Sequence, residues 1–399
     1  MRLLFLSFYY PPDLSAGSFR SVALVRALLD RLPAHAHIEL ITTLPNRYST
    51  FTSAAPALEE HPRLTVHRVA LPAHKSGMVD QSKAFLAYAR GAMALCKGKR
   101  YDLVYATSSR LMTGSLGALL ARRLKAPLYL DIRDIFVDTM KDVLPGKLAW
   151  ASKPFLSALE RWTLGTARRV NLVSPGFLPY FQARYPGRDW SLFSNGIDDE
   201  FLAAAPPDAE QPAGERVLDV VYAGNMGEGQ GLHAILPGLA RHFRGRLHFR
   251  LVGDGGRRAQ LEQALADAGC DNVTLLDPVN REALIGLYQS ADVLFLHLND
   301  YPAFKKVLPS KLFEYAALGK PVWAGVGGYA ARFVEEHIDN AAVFAPCDLD
   351  AAVRAFEALT PVTRPRPDFV ARFRRDAIMA DMAEDLLATP GSPWGGRTP

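Results

Sequence analysis

Leu218-Asp219-Val220-Val221-Tyr222-Ala223-Gly224-Asn225-Met226-Gly227-Glu228-Gly229-Gln230-Gly231 opens the second half of the chain. Leu218–Ala223 is an apolar run of the kind that forms a strand covered on both faces, and a helical pattern follows at Leu232–Phe243. Between them lie four glycines in eight residues. A glycine-rich turn from strand to helix lets backbone amides close on an anion. The spacing does not fit a dinucleotide fingerprint, and no acidic residue closes a strand in the right place, which argues against a nicotinamide cofactor.

Outward from this stretch the same alternation recurs. Downstream strands are expected at Leu247–Val252, Val273–Leu276, Val293–Leu298, Val322–Ala324 and Val343–Ala345, with helices at Arg257–Ala268, Arg281–Gln289 and Ser310–Leu318. Upstream, strands fall at Leu3–Phe8, Ile38–Thr42, Leu64–Val69, Leu103–Ala106, Leu128–Ile132 and Val170–Val173, with helices at Ser18–Leu32, Val79–Lys97, Thr113–Leu124 and Leu148–Ala167. Two tandem βαβ arrays predict an α/β protein of two doubly wound parallel-sheet domains facing a cleft. The Pro- and Ala-rich stretch 203–215 reads as a linker, Phe369–Leu387 as one last helix and 389–399 as a disordered tail. The domains are drawn at 1–197 and 198–365, with 366–388 packing back across them.

The 399 residues suit two or three domains. With 49% hydrophobic and 22% charged residues, whole-chain disorder and fibrous repeats are excluded. Cys96, Cys270 and Cys347 are far apart, which excludes a thiolate metal cluster and fits a reducing compartment. No run of 18 apolar residues marks a membrane span. Met1–Phe8 lacks a small-residue cleavage site and reads as a strand, not a signal peptide. Charge is uneven: residues 1–200 carry 26 Lys and Arg against 16 Asp and Glu, a net +10, and the rest carry 20 against 25, a net −5. The basic half suits phosphate or an anionic membrane.

Ligands of doubly wound sheets bind beyond the carboxyl ends of strands. After the first strand, Pro11-Pro12-Asp13-Leu14-Ser15-Ala16-Gly17-Ser18-Phe19-Arg20 places Gly17 at a helix start, with Arg20 within the first turn and Ser18 as a candidate cap. Gly253-Asp254-Gly255 follows another strand and reads as a tight turn or a nucleobase-lining loop. In Pro309-Ser310-Lys311-Leu312-Phe313-Glu314-Tyr315-Ala316-Ala317-Leu318-Gly319-Lys320-Pro321, Ser310 is expected to cap a helix that Gly319 and Pro321 end. Glu314 is not at the capping-box position, which is Phe313. It stands one turn, about 5.4 Å, beyond Ser310 on the same face. A phosphate at the helix start and a ribose diol on Glu314 match that offset. Asp348-Leu349-Asp350 reads as a helix cap, not a metal motif. His297 reads as a core polar residue or a ligand contact, and His35 and His37 as exposed. Lys83, Arg90 and Lys97, spaced by seven, form one stripe on a helix whose other side carries Phe85, Leu86, Ala89, Ala92, Met93 and Leu95. That is either a basic amphipathic helix on anionic lipid or a helix packed on its sheet with a solvated basic face.

In order, these motifs resemble the family 4 glycosyltransferases of the GT-B fold, and among them the bacterial transferases of O-antigen and capsule repeat units, such as the fucosamine transferases. The resemblance covers nearly the whole chain. It implies retaining transfer from a nucleotide-sugar, UDP favoured, held mainly by the C-terminal domain. The acceptor would be a lipid-linked sugar or oligosaccharide meeting the N-terminal domain. No cofactor, metal or nucleic acid is implied. The implied location is cytoplasmic, or peripheral on an anionic membrane surface.

It assigns Glu314 to the ribose, Ser310, Lys311 and Gly17 to the diphosphate, and Asn195 and Gly196 to a turn at the cleft floor. Gly224, Asn225, Gln230, Gly253, Asp254 and Gly255 fall in its donor loops. Departures are expected to matter. Lys306 stands where a first glutamate is usual, and Asn225 and Gln230 where phosphate-binding Arg and Lys are usual, so diphosphate charge would fall to Arg20, Lys306 and Lys311. In Asp131-Ile132-Arg133-Asp134, Arg133 occupies a histidine's place. An arginine is no general base, leaving Asp131, Asp134 or the donor phosphate. Two alternatives remain: a nucleotide-sugar 2-epimerase of the same fold, and a degenerate nucleotide-sugar-binding partner subunit.

Overall fold

The computed structural model describes residues 1–13, 15–45, 55–72, 78–108, 111–135, 146–206 and 216–393, with side chains described throughout except at 78–79 and 146–152. The chain divides into two compact units, Met1–Asn195 with Asp376–Pro399, and Gly196–Arg375.

The first unit runs β1 (Arg2–Leu6), α1 (Ala16–Arg31), β2 (His37–Thr43), β3 (Leu58–His61), β4 (Leu64–Val69), α2 (Met78–Leu95), β5 (Leu103–Ser108), α3 (Leu111–Leu124), β6 (Leu128–Ile132), α4 (Gly146–Thr166), β7 (Arg169–Leu172) and α5 (Leu178–Arg184). Its sheet order is β3-β4-β2-β1-β5-β6-β7. All neighbours are parallel except the edge strand β3, antiparallel to β4. That strand, Leu-Glu-Glu-His, is too polar and exposed to read as one from sequence. Helix α1 begins one turn earlier than Ser18: Ser15 is the cap, its hydroxyl accepting from Ser18 N at 3.2 Å. Leu3, Phe5, Leu24, Leu28, Tyr105 and Tyr129 form the core.

The second unit runs α6 (Asp199–Ala203), β8 (Leu218–Ala223), α7 (Leu232–His242), β9 (Leu247–Val252), α8 (Arg258–Asp267), β10 (Val273–Leu276), α9 (Arg281–Ser290), β11 (Val293–His297), α10 (Lys311–Ala317), β12 (Val322–Gly325), α11 (Tyr329–His337), β13 (Ala341–Phe344), α12 (Leu349–Glu357) and α13 (Pro367–Phe373). Its sheet is all parallel, ordered β10-β9-β8-β11-β12-β13. This is the doubly wound order, and the chain reverses direction across the sheet between β8 and β11. In the first unit the reversal lies between β1 and β5.

The units divide after Asn195, ahead of the stretch 203–215: Phe201 is fully buried and stacks on Tyr288 at 6.2 Å, so that turn belongs to the second core. Residues 207–215 lie outside the described residues. The last helix is two. After α13 it breaks at Arg374, and α14 (Arg375–Leu387) follows. Phe369 and Phe373 pack on Phe313 in the second unit, whereas Met379, Met382 and Leu386 enter the first unit's core. Of the expected tail, Thr389 is fully buried and bonded to Leu386 O; 394–399 lie outside the described residues.

Candidate functional site

At the reversal of the second sheet, the loops after β8 and β9 pack backbone on backbone. Gly224 has φ +137° and Gly253 φ +143°, and a Cβ on Gly253 would overlap the Gly224 carbonyl. Gly224 N donates to Val252 O at 2.8 Å and Met226 N to Asp254 O at 2.9 Å. Asp254 is engaged in its own turn, accepting from Gly255 N at 2.7 Å. Gly255 also needs its missing side chain, since a Cβ would come within 2.6 Å of Met226 C. Asn225 donates to Gln230 Oε1 at 2.7 Å, which also accepts from Gly227 N at 3.3 Å. These two side chains hold the loop's shape. They stand where the resemblance expects cations, and their neutral pairing explains how the loop is kept without them.

The cation over this loop is Lys311. Its Nζ lies 4.9 Å from the Tyr222 ring centroid and within 2.5 Å of where a Gly224 Cβ would be. Half-buried, with no carboxylate at ion-pair distance among the described residues, its ammonium is pushed down to about 8 by burial, against which Glu314 acts. Glu314, three residues on in α10, is half-buried, and its carboxylate makes no hydrogen bond within the described structure. Burial holds it above the usual carboxylate range; Asp198 adds to this, and Arg281, Lys311 and Arg375 oppose it. Those charges were not foreseen: Arg281 pairs with Asp198, Arg375 Nη1 lies 2.9 Å from Asp198, and Arg375 Nη2 donates to Gly196 O at 3.1 Å. Only their convergence in space marks them, because 83 residues separate Arg281 from Asp198.

Ser310 does not cap α10. Its backbone is already helical, φ −60° and ψ −29°, and its hydroxyl makes no capping bond. Lys306 sits on a separate turn, Phe304–Lys306, with Nζ donating to Pro302 O at 3.4 Å. His297 is fully buried: Nδ1 lies 2.6 Å from Gln230 O and Nε2 accepts from Cys347 N at 3.0 Å. Burial pushes it down to about 4, so it is a neutral brace between the glycine loop and the end of β13. Asp348 caps α12, accepting from Ala351 N at 2.9 Å.

In the first unit, Arg20 and Asp131 are corrected outright. Both are buried, joined through Nε at 2.9 Å and Nη2 at 3.0 Å. Arg20 also donates to Ser194 O and Phe193 O, and Asp131 accepts from Asn171 Nδ2 and Tyr105 OH. Burial pushes Asp131 up, but Arg20 outweighs it and holds the carboxyl below its usual range. Neither group is free for a diphosphate or an acceptor proton; breaking such a pair would leave a buried charge uncompensated. Asp134 is exposed. Arg133 lies against Gly17, its Nη1 2.6 Å from where a Gly17 Cβ would be. Asn195 is buried at the end of this unit and Gly196, φ +72°, begins the next. His35 is exposed, whereas His37 is half-buried on Thr65 Oγ1 at 2.9 Å.

Helix α2 takes the plainer of its two readings. Phe85, Tyr88, Ala89 and Ala92 are buried, and Tyr88 OH donates to Ile41 O at 2.8 Å. The apolar side is taken up by the fold. Lys83, Arg90 and Lys97 are exposed, and Leu86 is half exposed. Among the described residues no helix is long and apolar enough to cross a membrane.

Residues 21–196 match the glycosyl transferase 4-like domain and residues 218–360 the glycosyl transferases group 1. The chain belongs to the glycosyltransferases assembled from these two domains, with the GT-B fold. It is 29% identical over 210 residues to WcaI of Escherichia coli (strain K12), named as a colanic acid biosynthesis glycosyl transferase, covering 50% of this chain and 51% of that protein. The chain thus matches about half the length of that curated relative. Anabaena HepE in complex with UDP superposes with a TM-score of 0.65 at 18% identity, over 97% of this chain and 99% of that one. WaaG, a glycosyltransferase involved in lipopolysaccharide biosynthesis, gives 0.62 at 14% identity over 98% of both. At such identities the two structures establish the fold.

Proposed function

We propose that the chain transfers a sugar, with retention, from a nucleotide-sugar to a lipid-linked or oligosaccharide acceptor in cell-surface polysaccharide synthesis, with UDP as the favoured carrier. The observation that carries this is the pairing on α10: a half-buried ammonium without an anion, over a side-chain-free glycine loop, and one turn along a carboxylate without a donor. A diphosphate answers the first and a ribose diol the second. A nucleotide diphosphate carries both groups at about that separation. The binding of UDP by a protein of like fold and the name of the colanic acid relative support the carrier and the pathway class.

In the transfer, charge grows on the leaving diphosphate. Lys311 is a fixed charge held over the glycine loop to meet it, which is how such sites lower barriers. No metal is needed for this, and activity is expected to persist in EDTA; activity restored only by Mg or Mn would overturn that part. Titration calorimetry with UDP-sugars tests the carrier and the site together. Hydrogen bonds to a charged group are worth about 1.5–3 kcal/mol, so Glu314→Ala is expected to weaken binding roughly 10- to 150-fold with little change in melting temperature. Wild-type affinity in that variant would remove Glu314 from the site.

A further inference from the structure

The amino ends of β6 and β7 lie opposite the end where a doubly wound sheet takes its ligands. A cavity of about 700 Å³ opens there, walled by the last turns of α3 and α4 and by the turn after α14. Arg122, Lys125 and Arg168 are exposed on it, no Asp or Glu lines it, and none of the three pairs with a carboxylate among the described residues. Their neighbours do have partners: Arg169 pairs with Asp385 at 2.9 Å, and Arg188 donates to Leu164 O and Ala167 O at the end of α4. Helix carboxyl ends attract cations, but two of them together supply roughly one negative charge. Against three cations that leaves a surplus of about two. Lys125 also sits in a strained place, at φ +55°. Its N donates to Arg122 O at 3.4 Å and Ala126 N to Ala121 O at 3.0 Å, the left-handed turn that commonly ends a helix on glycine. Helix α8 ends on the same pattern, Gly269 N to Ala266 O at 2.9 Å and Cys270 N to Leu265 O at 3.0 Å, with Gly269 at φ +62°. Glycine adopts that conformation freely and a side chain does not. What lysine adds at this turn is a charge on the cavity wall.

We infer that this cavity is a second ligand site, which takes a phosphate monoester carried on a ring, a sugar phosphate or a nucleoside monophosphate. The ester brings about −1.5 to −2 charges at neutral pH and matches the surplus, where a carboxylate brings half as much. Arg122 and Arg168 offer forked donors to its oxygens and Lys125 a point charge. Beside the cations the wall is apolar, with Trp162, Pro127 and Pro390, and an indole face takes up the face of a ring. The volume is that of an ordinary small-molecule site. The site lies within the first unit and stands or falls separately from Lys311 and Glu314.

Glucose 6-phosphate and AMP are the probes, followed by melting temperature and calorimetry on the full chain in phosphate-free buffer. Wild-type protein is expected to be stabilised by at least one of them, and K125G and R168Q each to bind it about tenfold more weakly. K125G folds, because glycine is the residue its turn favours, and R168Q changes an exposed side chain. Any ester held at Lys311 persists in all three proteins and cancels in the comparison, and UDP should bind all three alike. Stabilisation by glucose 6-phosphate alone assigns the site to sugar phosphates, and by AMP alone to nucleotides. Inorganic phosphate should bind more weakly than the preferred ester; equal affinity overturns the part of the ring wall. Equal ester binding in wild type and both variants overturns the site, as does none in wild type. No ester binding, with co-sedimentation on phosphatidylglycerol vesicles that K125G and R168Q lose, overturns it in favour of a lipid surface.

Discussion

Lys311 ties the chemistry to pH. An exposed lysine titrates near 10.4, and burial brings this one down to about 8. Between those values the unfolded chain binds more protons than the folded one, so this group's contribution to stability rises with pH through that window and is constant below it. Binding runs the other way. The ammonium is lost above about 8, so affinity for UDP should fall there, approaching about tenfold per pH unit, with proton uptake on binding. Lys311→Arg keeps its charge and should show no such break, while carrying any titration of the ligand itself. Calorimetry in two buffers of different ionisation enthalpy measures both effects. Wild-type affinity parallel to that of Lys311→Arg from pH 7 to 9 would place the lysine away from the phosphates. From the sequence, Lys311 and Glu314 were legible because a glycine loop and an interrupted helix frame them. Arg20 and Asp131 misled, because a basic residue in the first turn of a loop-fed helix looks the same whether it faces ligand or core. What separates them is Asp131, 111 residues away.

At the level of elements, five strands were read to the residue: Leu64–Val69, Leu128–Ile132, Leu218–Ala223, Leu247–Val252 and Val273–Leu276 coincide with the observed bounds. Continuous apolar runs between turn residues have one outcome. Among the elements that escaped are β3, polar and held by β4, and α11, whose start is set by Gly328 with φ +63°. The glycine loops offer a sharper test. Gly253 combines a positive φ with a backbone carbonyl in the Cβ position. Gly253→Ala incurs both penalties, about 2–5 kcal/mol. Gly256, with open space around it and no positive φ, should accept alanine within about 0.5 kcal/mol. Urea unfolding of the two variants decides this; equal stabilities would mean the two loops do not depend on close backbone contact. Because the Gly253 and Gly224 backbones define the floor beneath Lys311, Gly253→Ala should also weaken UDP binding in whatever fraction folds.

At the scale of the molecule, the chain's division is discontinuous: the second unit is one segment, 196–375, whereas the first is completed only by residues after it. The alternation of strands and helices announces two sheets but not which one the last helix serves. That depends on the break at Arg374, where Arg375 N turns to pair with Ile197 O at 2.9 Å. Met379, Met382 and Leu386 are fully buried in the first core. Asp385 accepts from Tyr129 OH at 2.9 Å and Ser191 Oγ at 2.6 Å and pairs with Arg169 at 2.9 Å. Burying three side chains of this size contributes about 1.5–3 kcal/mol each, roughly 5–9 kcal/mol together, against a total domain stability of about 5–15 kcal/mol. Residues 1–195 alone should therefore fail to fold. Residues 196–375 alone hold a complete sheet, both of its cores, the glycine loops, Lys311 and Glu314, and should melt cooperatively and bind UDP. Joining 376–393 to 1–195 through a flexible linker should restore a cooperative transition that UDP, expected to bind the other segment, leaves unmoved. Circular dichroism melts of the three segments, with and without UDP, measure this. A cooperative, native-like 1–195 would show that the C-terminal helix is an addition to the first core and not part of it.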